Sequence, residues 1–134
     1  MDPIPCEDYY YPNDGRLYLA GPMRDVAYFN FPAFKAAAED LRECGYFVFS
    51  PVERDIERCG ADPSNPTGCP IQAEKEYGLT IRECLAEDLG WICRTATAVV
   101  VLPGWENSKG AQAEVHTARA LGIPVMTLDE ALQC

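Results

Sequence analysis

Apolar and polar residues follow two patterns along the chain, one typical of buried strands and the other of amphipathic helices. Short continuous apolar runs favour strands covered on both faces, and the run at 98–102 is the clearest of them. Longer segments with apolar residues at helical spacing favour helices. The predicted strands are 16–20, 46–50, 98–102 and 122–127. The predicted helices are 32–44, 81–94, 110–121 and a short terminal helix that we expect Asp129 to cap.

Strands and helices alternate in this order, and the alternation predicts an α/β fold. Such a chain forms a parallel sheet with right-handed connections and with helices on both faces. Four strands are predicted, and a fifth within 52–77 has little support in the sequence. Residues 52–77 are rich in Pro, Gly, Asn and charge without clear periodicity, so we expect a long loop there. This loop would leave the sheet at the edge where such folds bind ligands.

Length and composition predict one folded domain with a short N-terminal tail. The chain has 134 residues, of which 48% are hydrophobic, and a chain of this length can bury a core without staples. We expect a single domain over 16–134, preceded by a flexible tail over 1–15. The sequence has no apolar run of membrane-spanning length and no secretion signal, so we expect a cytoplasmic protein without a membrane partner.

Charge and cysteine content exclude several kinds of partner. The net charge of −10 argues against a nucleic-acid duplex, because such a partner selects clustered Lys and Arg. A small molecule with one phosphate needs only a few local donors, so this charge does not exclude it. The 7 cysteines include no C-x-x-C pair and the chain has 1 His, so we expect reduced thiols and neither a metal site nor a cofactor.

Glu114 is the most prominent candidate for chemistry, because it lies about one turn into the helix that follows the strand at 98–102. In open α/β sheets, ligands bind at the carboxyl ends of the strands, where this position lies. Taken alone, Glu114 is also explained as a solvated charge favoured by the helix dipole. Tyr18 in the first strand and Asp88 in the second long helix converge on the same edge if the sheet forms as predicted.

Five short motifs together resemble the nucleoside 2-deoxyribosyltransferase superfamily, which includes base-exchanging transferases and 2′-deoxynucleoside 5′-monophosphate N-hydrolases. They are Tyr18-Leu-Ala-Gly-Pro-Met-Arg24, Asp88-Leu-Gly-Trp91, the strand 98–102, Asn107-Ser-Lys-Gly-Ala-Gln-Ala-Glu114 and Ala120-Leu-Gly-Ile-Pro-Val125. The segment 102–106 looks most like that of small phage and bacterial members of uncertain function. The resemblance implies a flavodoxin-like (Rossmann-like) three-layer fold with a four- to five-stranded parallel sheet.

The resemblance also implies a covalent mechanism with Glu114 as the nucleophile. Glu114 would attack the anomeric carbon of a ribosyl or deoxyribosyl group, as in retaining glycosidases. Asp88 would stabilise the oxocarbenium-like charge or pass a proton to the departing base. Tyr18 would hydrogen-bond Glu114 and hold its orientation. Without the resemblance, Asp88 is explained as a solvated helix charge and Tyr18 as a core aromatic residue.

Ser108 distinguishes the two activities of this superfamily. The transferases have an aspartate here that protonates the base, whereas the N-hydrolases have a serine that binds the 5′-phosphate, often across a dimer interface. Ser108 lies in a Gly-containing loop before a helix, a natural anion site, although helix capping explains it equally well. The hydrolases also have a serine where this chain has Pro22, so one phosphate donor is missing. The implied substrate-binding residues are Gly21, Met23, Arg24, Ser108, Lys109 and Gly110.

These features predict an N-glycosidase that releases free base from a (deoxy)nucleoside 5′-monophosphate without a cofactor. The alternatives are a nucleoside 2-deoxyribosyltransferase and a nucleotide-binding module without turnover. We also expect a homodimer, because Trp91, Trp105 and the tyrosines at 9–11 offer apolar surface that a monomer would expose. A place in the core of one subunit explains Trp91 equally well.

Overall fold

Four strands and six α-helices make up the part of the chain that a computed structural model describes, residues 15–133. The strands are β1 (Arg16–Ala20), β2 (Phe47–Phe49), β3 (Ala98–Val101) and β4 (Val125–Thr127). The helices are α1 (Phe31–Glu43), α2 (Pro51–Cys59), α3 (Pro70–Tyr77), α4 (Ile81–Arg94), α5 (Lys109–Ala120) and α6 (Leu128–Ala131). The predicted tail and its tyrosines at 9–11 lie outside the described residues, apart from Gly15.

The strands form one parallel sheet in the order β2-β1-β3-β4. Tyr18 in the central strand β1 is aligned with Phe49 on one side and with Val99 on the other. All four carboxyl ends therefore lie at one edge of the sheet. This arrangement confirms the predicted α/β, flavodoxin-like three-layer fold, with four strands in the described range.

The first face of the sheet packs against α1 through a large apolar cluster. Alternate residues of β1, Leu17 and Leu19, belong to this cluster together with Phe34 and Leu41 of α1. In a strand, alternate side chains point to the same face, so this set defines one side of β1.

The second face packs against α4 and α5. Tyr18 of β1 joins Ile92 of α4 and Val115 of α5 in a separate cluster. Trp91 and Trp105 pack against this cluster, which agrees with the core interpretation of Trp91. The sheet is thus covered on both faces, as the apolar strand pattern predicted.

The segment 52–77 is not the long loop that the sequence pattern predicted, because it contains most of α2 and all of α3. Both helices begin with proline in the first turn, at Pro51 and Pro70, where the missing N–H has no cost. Both end at a left-handed glycine, Gly60 with φ 71° and Gly78 with φ 68°. These short helices bury few apolar residues, so their periodicity is too brief to stand out against the charged residues.

Side-chain caps define the start of two further helices. Thr80 Oγ1 accepts a hydrogen bond from the backbone N of Glu83 at 3.2 Å, and it caps α4. The terminal helix α6 is capped by Thr127, whose Oγ1 accepts from the backbone N of Glu130 at 3.2 Å. The prediction of Asp129 as the cap is wrong, because α6 begins at 128 and Asp129 lies inside its first turn.

The cysteines show two states within the described residues. Free thiols occur at Cys59, Cys69, Cys84 and Cys93, whereas Cys44 is disulfide-bonded. The prediction of reduced thiols is therefore wrong at Cys44, where the sequence has no spacing that indicates a bond. As for the membrane, none of the helices between residues 15 and 133 is both long and apolar enough to cross one.

Candidate active site

A cleft opens at the carboxyl edge of the sheet. Its walls are the loop after β1, the first turns of α2 and α5, the first half of α4, and α3. Of the residues predicted to act chemically, Asp88 and Glu114 both line this cleft. Ligands of α/β folds bind at this edge, so the position of the cleft agrees with a small-molecule site.

Tyr18 and Glu114 form a buried hydrogen bond beside the cleft. The Tyr18 hydroxyl donates to Glu114 Oε2 at 2.5 Å. Tyr18 is 0% exposed and Glu114 is 7% exposed. The Tyr18 ring stacks on Phe49 with centroids 5.4 Å apart and lies 6.3 Å from the ring of Trp91. Because these rings fix the tyrosine, its hydroxyl fixes the orientation of the Glu114 carboxyl group.

Asp88 presents a second carboxyl group to the same cleft from α4, and it is 9% exposed. Burial and, to a smaller extent, the negative charge of Asp55 raise the pKa of Asp88 to about 7. The Tyr18 hydroxyl and the cations Arg58 and Arg54 act in the opposite direction. A carboxyl group with this pKa holds a proton near neutral pH, as a general acid requires.

Opposing influences act on the protonation of Glu114. Burial raises the pKa of this carboxyl group, the hydrogen bond from Tyr18 lowers it, the charge of Asp88 raises it, and the charge of Arg24 lowers it. The donor and the cation thus favour the ionised form that a nucleophile needs. Burial has the largest effect, so the pKa of Glu114 is raised well above the usual glutamate value, and each of the two carboxyl groups opposes ionisation of the other.

The N-terminus of α5 forms one end of the cleft. Ser108 and Gly110 lie there beside Arg24. Ser108 Oγ accepts a hydrogen bond from the backbone N of Ala111 at 3.2 Å, so this serine caps the helix. A capping hydroxyl still has its own proton to donate to a ligand. Arg24 Nη2 is 3.4 Å from the position of a Cβ on Gly110, so its guanidinium lies against the helix start. The helix dipole and this cation together favour an anion here.

The remaining predicted binding residues differ in their placement. Gly21 and Met23 line the cleft, whereas Lys109 is exposed and does not line it. A Cβ on Gly21 would lie 3.0 Å from Leu102 Cβ and 3.3 Å from Phe34 Cζ. Close packing between β1, α1 and the end of β3 therefore requires glycine at this position, independently of any ligand.

Asp55 is a cleft residue that the sequence patterns did not indicate. It lies on α2 and is 7% exposed. Cys84 Sγ donates to Asp55 Oδ1 at 3.7 Å. Burial raises the pKa of Asp55 to about 6 against the opposing effects of the Cys84 hydrogen bond and the charge of Arg58. The spacing of Val52, Asp55 and Ile56 on one helical face is the only sequence signal for this position.

Two arginines of α2 bind α4 and thereby fix Asp55 within the cleft. Arg54 Nε and Arg58 Nη2 both pair with the carboxylate of Glu87 on α4. Arg58 Nη1 also donates to Cys84 Sγ at 3.8 Å. Since charged pairs with several partners restrict side-chain motion, we attribute the relative position of α2 and α4 to this network.

Backbone contacts between two loops place α3 at the cleft. Asp25 N donates to Gly68 O at 2.8 Å, and Tyr28 N donates to Asn65 O at 2.9 Å. The buried Asn65 side chain accepts from Cys69 N at 2.7 Å and donates to Cys69 O at 3.0 Å. These bonds define the turn that leads directly into α3 at Pro70.

The fold and the cleft define the class: a parallel α/β domain whose candidate small-molecule site consists of three buried carboxyl groups beside a cationic helix N-terminus. Within residues 15–133, no group of three His, Cys, Asp or Glu side chains is arranged to hold a metal ion. The sequence profile of a domain of unknown function (DUF4406) matches residues 15–127, and the chain therefore belongs to this family. No curated protein and no solved structure matches the chain.

Proposed function

We propose that the protein hydrolyses the N-glycosidic bond of a nucleoside 5′-monophosphate or of its 2′-deoxy form. The observation that carries this proposal is the 2.5 Å hydrogen bond from Tyr18 to Glu114, with Asp88 in the same cleft. Retaining cleavage needs an oriented carboxylate and a second carboxyl group that holds a proton near neutral pH. The resemblance of the surrounding motifs to the nucleoside 2-deoxyribosyltransferase superfamily supports the same chemistry.

The proposed reaction has two steps. In the first, a Glu114 carboxylate oxygen bonds to the anomeric carbon while the C–N bond breaks, and Asp88 gives its proton to the departing base. In the second, the Asp88 carboxylate takes a proton from a water molecule whose oxygen attacks the anomeric carbon. The ester bond then breaks and returns the Glu114 carboxylate. The products are free base and sugar phosphate, and both carboxyl groups end in their starting states.

The N-terminus of α5 is the proposed binding site for the 5′-phosphate. Ser108, the Arg24 guanidinium and the first N–H groups of α5 supply donors and positive charge at one end of the cleft. Pro22 has neither a hydroxyl nor an N–H to offer after Gly21. We therefore assign the phosphate contacts to Ser108 and Arg24.

Incubation with paired nucleosides and nucleoside 5′-monophosphates, followed by chromatography for free base, tests this proposal. We expect base release from the monophosphates at least about tenfold faster than from the nucleosides, because only the former engage the charged donors. Adding labelled free base distinguishes hydrolysis from base exchange, the activity of a transferase. Label that enters nucleotide efficiently would favour the transferase, and binding without any base release would favour a non-catalytic module.

We also propose that the active form is a cytoplasmic homodimer in which each subunit covers the cleft mouth of the other. Four large apolar side chains are exposed on the elements that form the cleft walls. They are Tyr28 (50%), Ile71 (63%), Tyr77 (38%) and Ile81 (42%). Exposed apolar side chains on the walls of a cleft favour contact with a partner surface. A two-fold dimer is the commonest closed arrangement for such a contact.

A further inference from the structure

Asp55 lines a part of the cleft that the proposed reaction does not use. The charge of Arg24 lowers the pKa of Glu114, whereas the charge of Arg58 lowers the pKa of Asp55 and of Asp88. The cleft thus has a cationic end at α5, the two reacting carboxyl groups between, and an acidic end at α2. A bound nucleotide has its phosphate and its base on opposite sides of the sugar. With the phosphate at α5 and the anomeric carbon at Glu114, the base reaches the acidic end.

We propose that Asp55 selects the base of the substrate by accepting a hydrogen bond from an exocyclic amino group, an inference that rests on the proposed function of this cleft. The substrate class is then a nucleotide of an amino-bearing base. Bases that carry a carbonyl oxygen in the corresponding position are disfavoured.

The hydrogen bonds of Asp55 leave one carboxyl oxygen for a ligand. Cys84 Sγ donates to Oδ1, and Oδ2 has no hydrogen-bond partner among residues 15–133. Asp55 is 7% exposed and borders the cleft, and Ser50 Oγ is the only fully buried polar side-chain atom without a partner among residues 15–133, so Asp55 Oδ2 is open to the cleft, where a ligand would cover it. A buried acceptor that a ligand leaves without a donor is costly, and this cost provides the selectivity.

The chemistry of a carboxyl group explains why Asp55 would favour an amino group over a carbonyl oxygen. A carboxylate accepts hydrogen bonds and cannot donate them, so it repels a carbonyl oxygen at the same place. The ring N–H of uracil or hypoxanthine adjoins a carbonyl oxygen, which would face the second carboxyl oxygen. Burial raises the pKa of Asp55 to about 6. Its protonated form can also donate to the ring nitrogen beside an amino group, as in cytosine or adenine.

Calorimetric titration of matched nucleotides tests the inference in protein that carries Glu114→Gln, so that turnover does not disturb the measurement. Cytidine is compared with uridine 5′-monophosphate, and adenosine with inosine 5′-monophosphate, in ribo and 2′-deoxy forms. We expect the amino member to bind at least about tenfold more tightly. Adding Asp55→Asn should abolish or reverse this preference, because an amide N–H₂ donates to a carbonyl. Asp40→Asn, an exposed carboxyl group on α1, is the matched control and should leave the preference intact.

Equal binding of amino and oxo members, or a preference that persists with Asp55→Asn, would overturn the inference. A second variant, Asp55→Ser, together with thermal unfolding of each protein, separates loss of recognition from loss of folding. Base release by the wild-type protein is measured independently. An Asp55-dependent preference without base release would refute the proposed function and support the inference. Base release with no effect of Asp55 on the preference would support the proposed function and refute the inference. If none of the nucleotides binds, both the proposed function and the inference are refuted.

Discussion

At the scale of single residues, the Tyr18 hydroxyl has the largest effect in favour of a carboxylate at Glu114. Tyr18→Phe removes this donor and keeps the ring that stacks on Phe49. A hydrogen bond to a charged group contributes about 1.5–3 kcal/mol, so we expect base release at pH 7 to fall roughly 10- to 100-fold. The pKa of Glu114 rises further without the donor, so the acid limb of the pH–rate profile should move to higher pH. Steady-state rates between pH 5 and 9 provide the measurement.

Tyr46→Phe is the control for this substitution, because Tyr46 lies directly before β2 at the amino edge of the sheet, away from the cleft. We expect its pH–rate profile to match that of the wild-type protein. A Tyr18→Phe variant with an unchanged rate and an unchanged acid limb would show that the hydroxyl does not act through Glu114.

Asp88 links activity to stability at this scale. Its pKa is about 7 in the folded protein, above the usual aspartate value, so the folded state binds the proton more tightly than the unfolded state. The free energy of unfolding should therefore decrease as pH rises from about 4 to about 7. Asp88→Asn removes this ionisation. We compare the free energy of unfolding of the variant with that of wild type. This difference should shift in favour of the variant by roughly 1–3 kcal/mol between pH 5 and pH 8, and the variant should lose base release.

Urea unfolding at pH 5 and pH 8 measures this difference, with the exposed Asp40→Asn as the control. A stability difference between Asp88→Asn and wild type that is independent of pH would contradict a buried, protonated Asp88. Retained base release in the variant would remove Asp88 from the mechanism.

Sequence motifs located individual residues well where they lie on regular elements of the sheet edge. Tyr18 and Glu114 were predicted to contact each other from the motif resemblance, and they do. Lys109 was predicted to supply charge to the phosphate, yet at the first turn of α5 its side chain is exposed and outside the cleft wall. Asp55 was missed because its burial arises from contacts between α2 and α4, and the helical spacing around it does not show which element covers that face.

At the scale of elements, the strands and long helices were predictable, because their apolar periodicity extends over enough residues. The short helices α2 and α3 were not, since each buries only a few side chains. Their boundaries were nevertheless visible as proline and glycine, at Pro51 and Gly60 and at Pro70 and Gly78. Composition rich in Pro and Gly was interpreted as a loop, whereas here these residues start and stop helices.

Gly68 provides a test of how the loop before α3 shapes the cleft. Its φ is 68°, and a Cβ there would collide with the backbone of Val26. Gly78 has the same φ of 68°, but a Cβ there would meet nothing within 4 Å, so Gly78→Ala isolates the conformational cost, about 1 kcal/mol. We expect Gly68→Ala to destabilise the fold by at least about 2 kcal/mol more and to raise KM. Denaturant unfolding and steady-state kinetics measure both effects, and equal costs for the two variants would contradict the close contact.

At the scale of the whole molecule, the net charge of −10 leaves Arg24 and the α5 N-terminus as a local attraction for an anionic substrate. Assembly adds to this site if the exposed apolar side chains around the cleft mouth bind a second subunit. Ile71→Asp places a charge on α3, where 63% of the side chain is exposed. We expect light scattering at micromolar concentration to show a dimer for wild type and a monomer for this variant, with KM raised at least about tenfold.

Leu121→Asp is the matched control for assembly, because Leu121 is 50% exposed at the opposite end of α5. This variant should remain dimeric with an unchanged KM. A wild-type monomer with full activity, or a monomeric Ile71→Asp variant with unchanged KM, would refute a shared site.

Base release by Glu114→Gln shows whether Glu114 attacks the anomeric carbon of a nucleotide. The amide keeps the size of the side chain and can still contact Tyr18, but it is a far weaker nucleophile than a carboxylate. The assay compares free base and sugar phosphate released from nucleoside 5′-monophosphates by wild type and variant, with thermal unfolding to show that both are folded. We predict equal amounts of the two products from wild type and a rate at least about 1,000-fold lower from the variant. Base release by a folded Glu114→Gln protein at a rate near that of wild type would exclude Glu114 as the nucleophile.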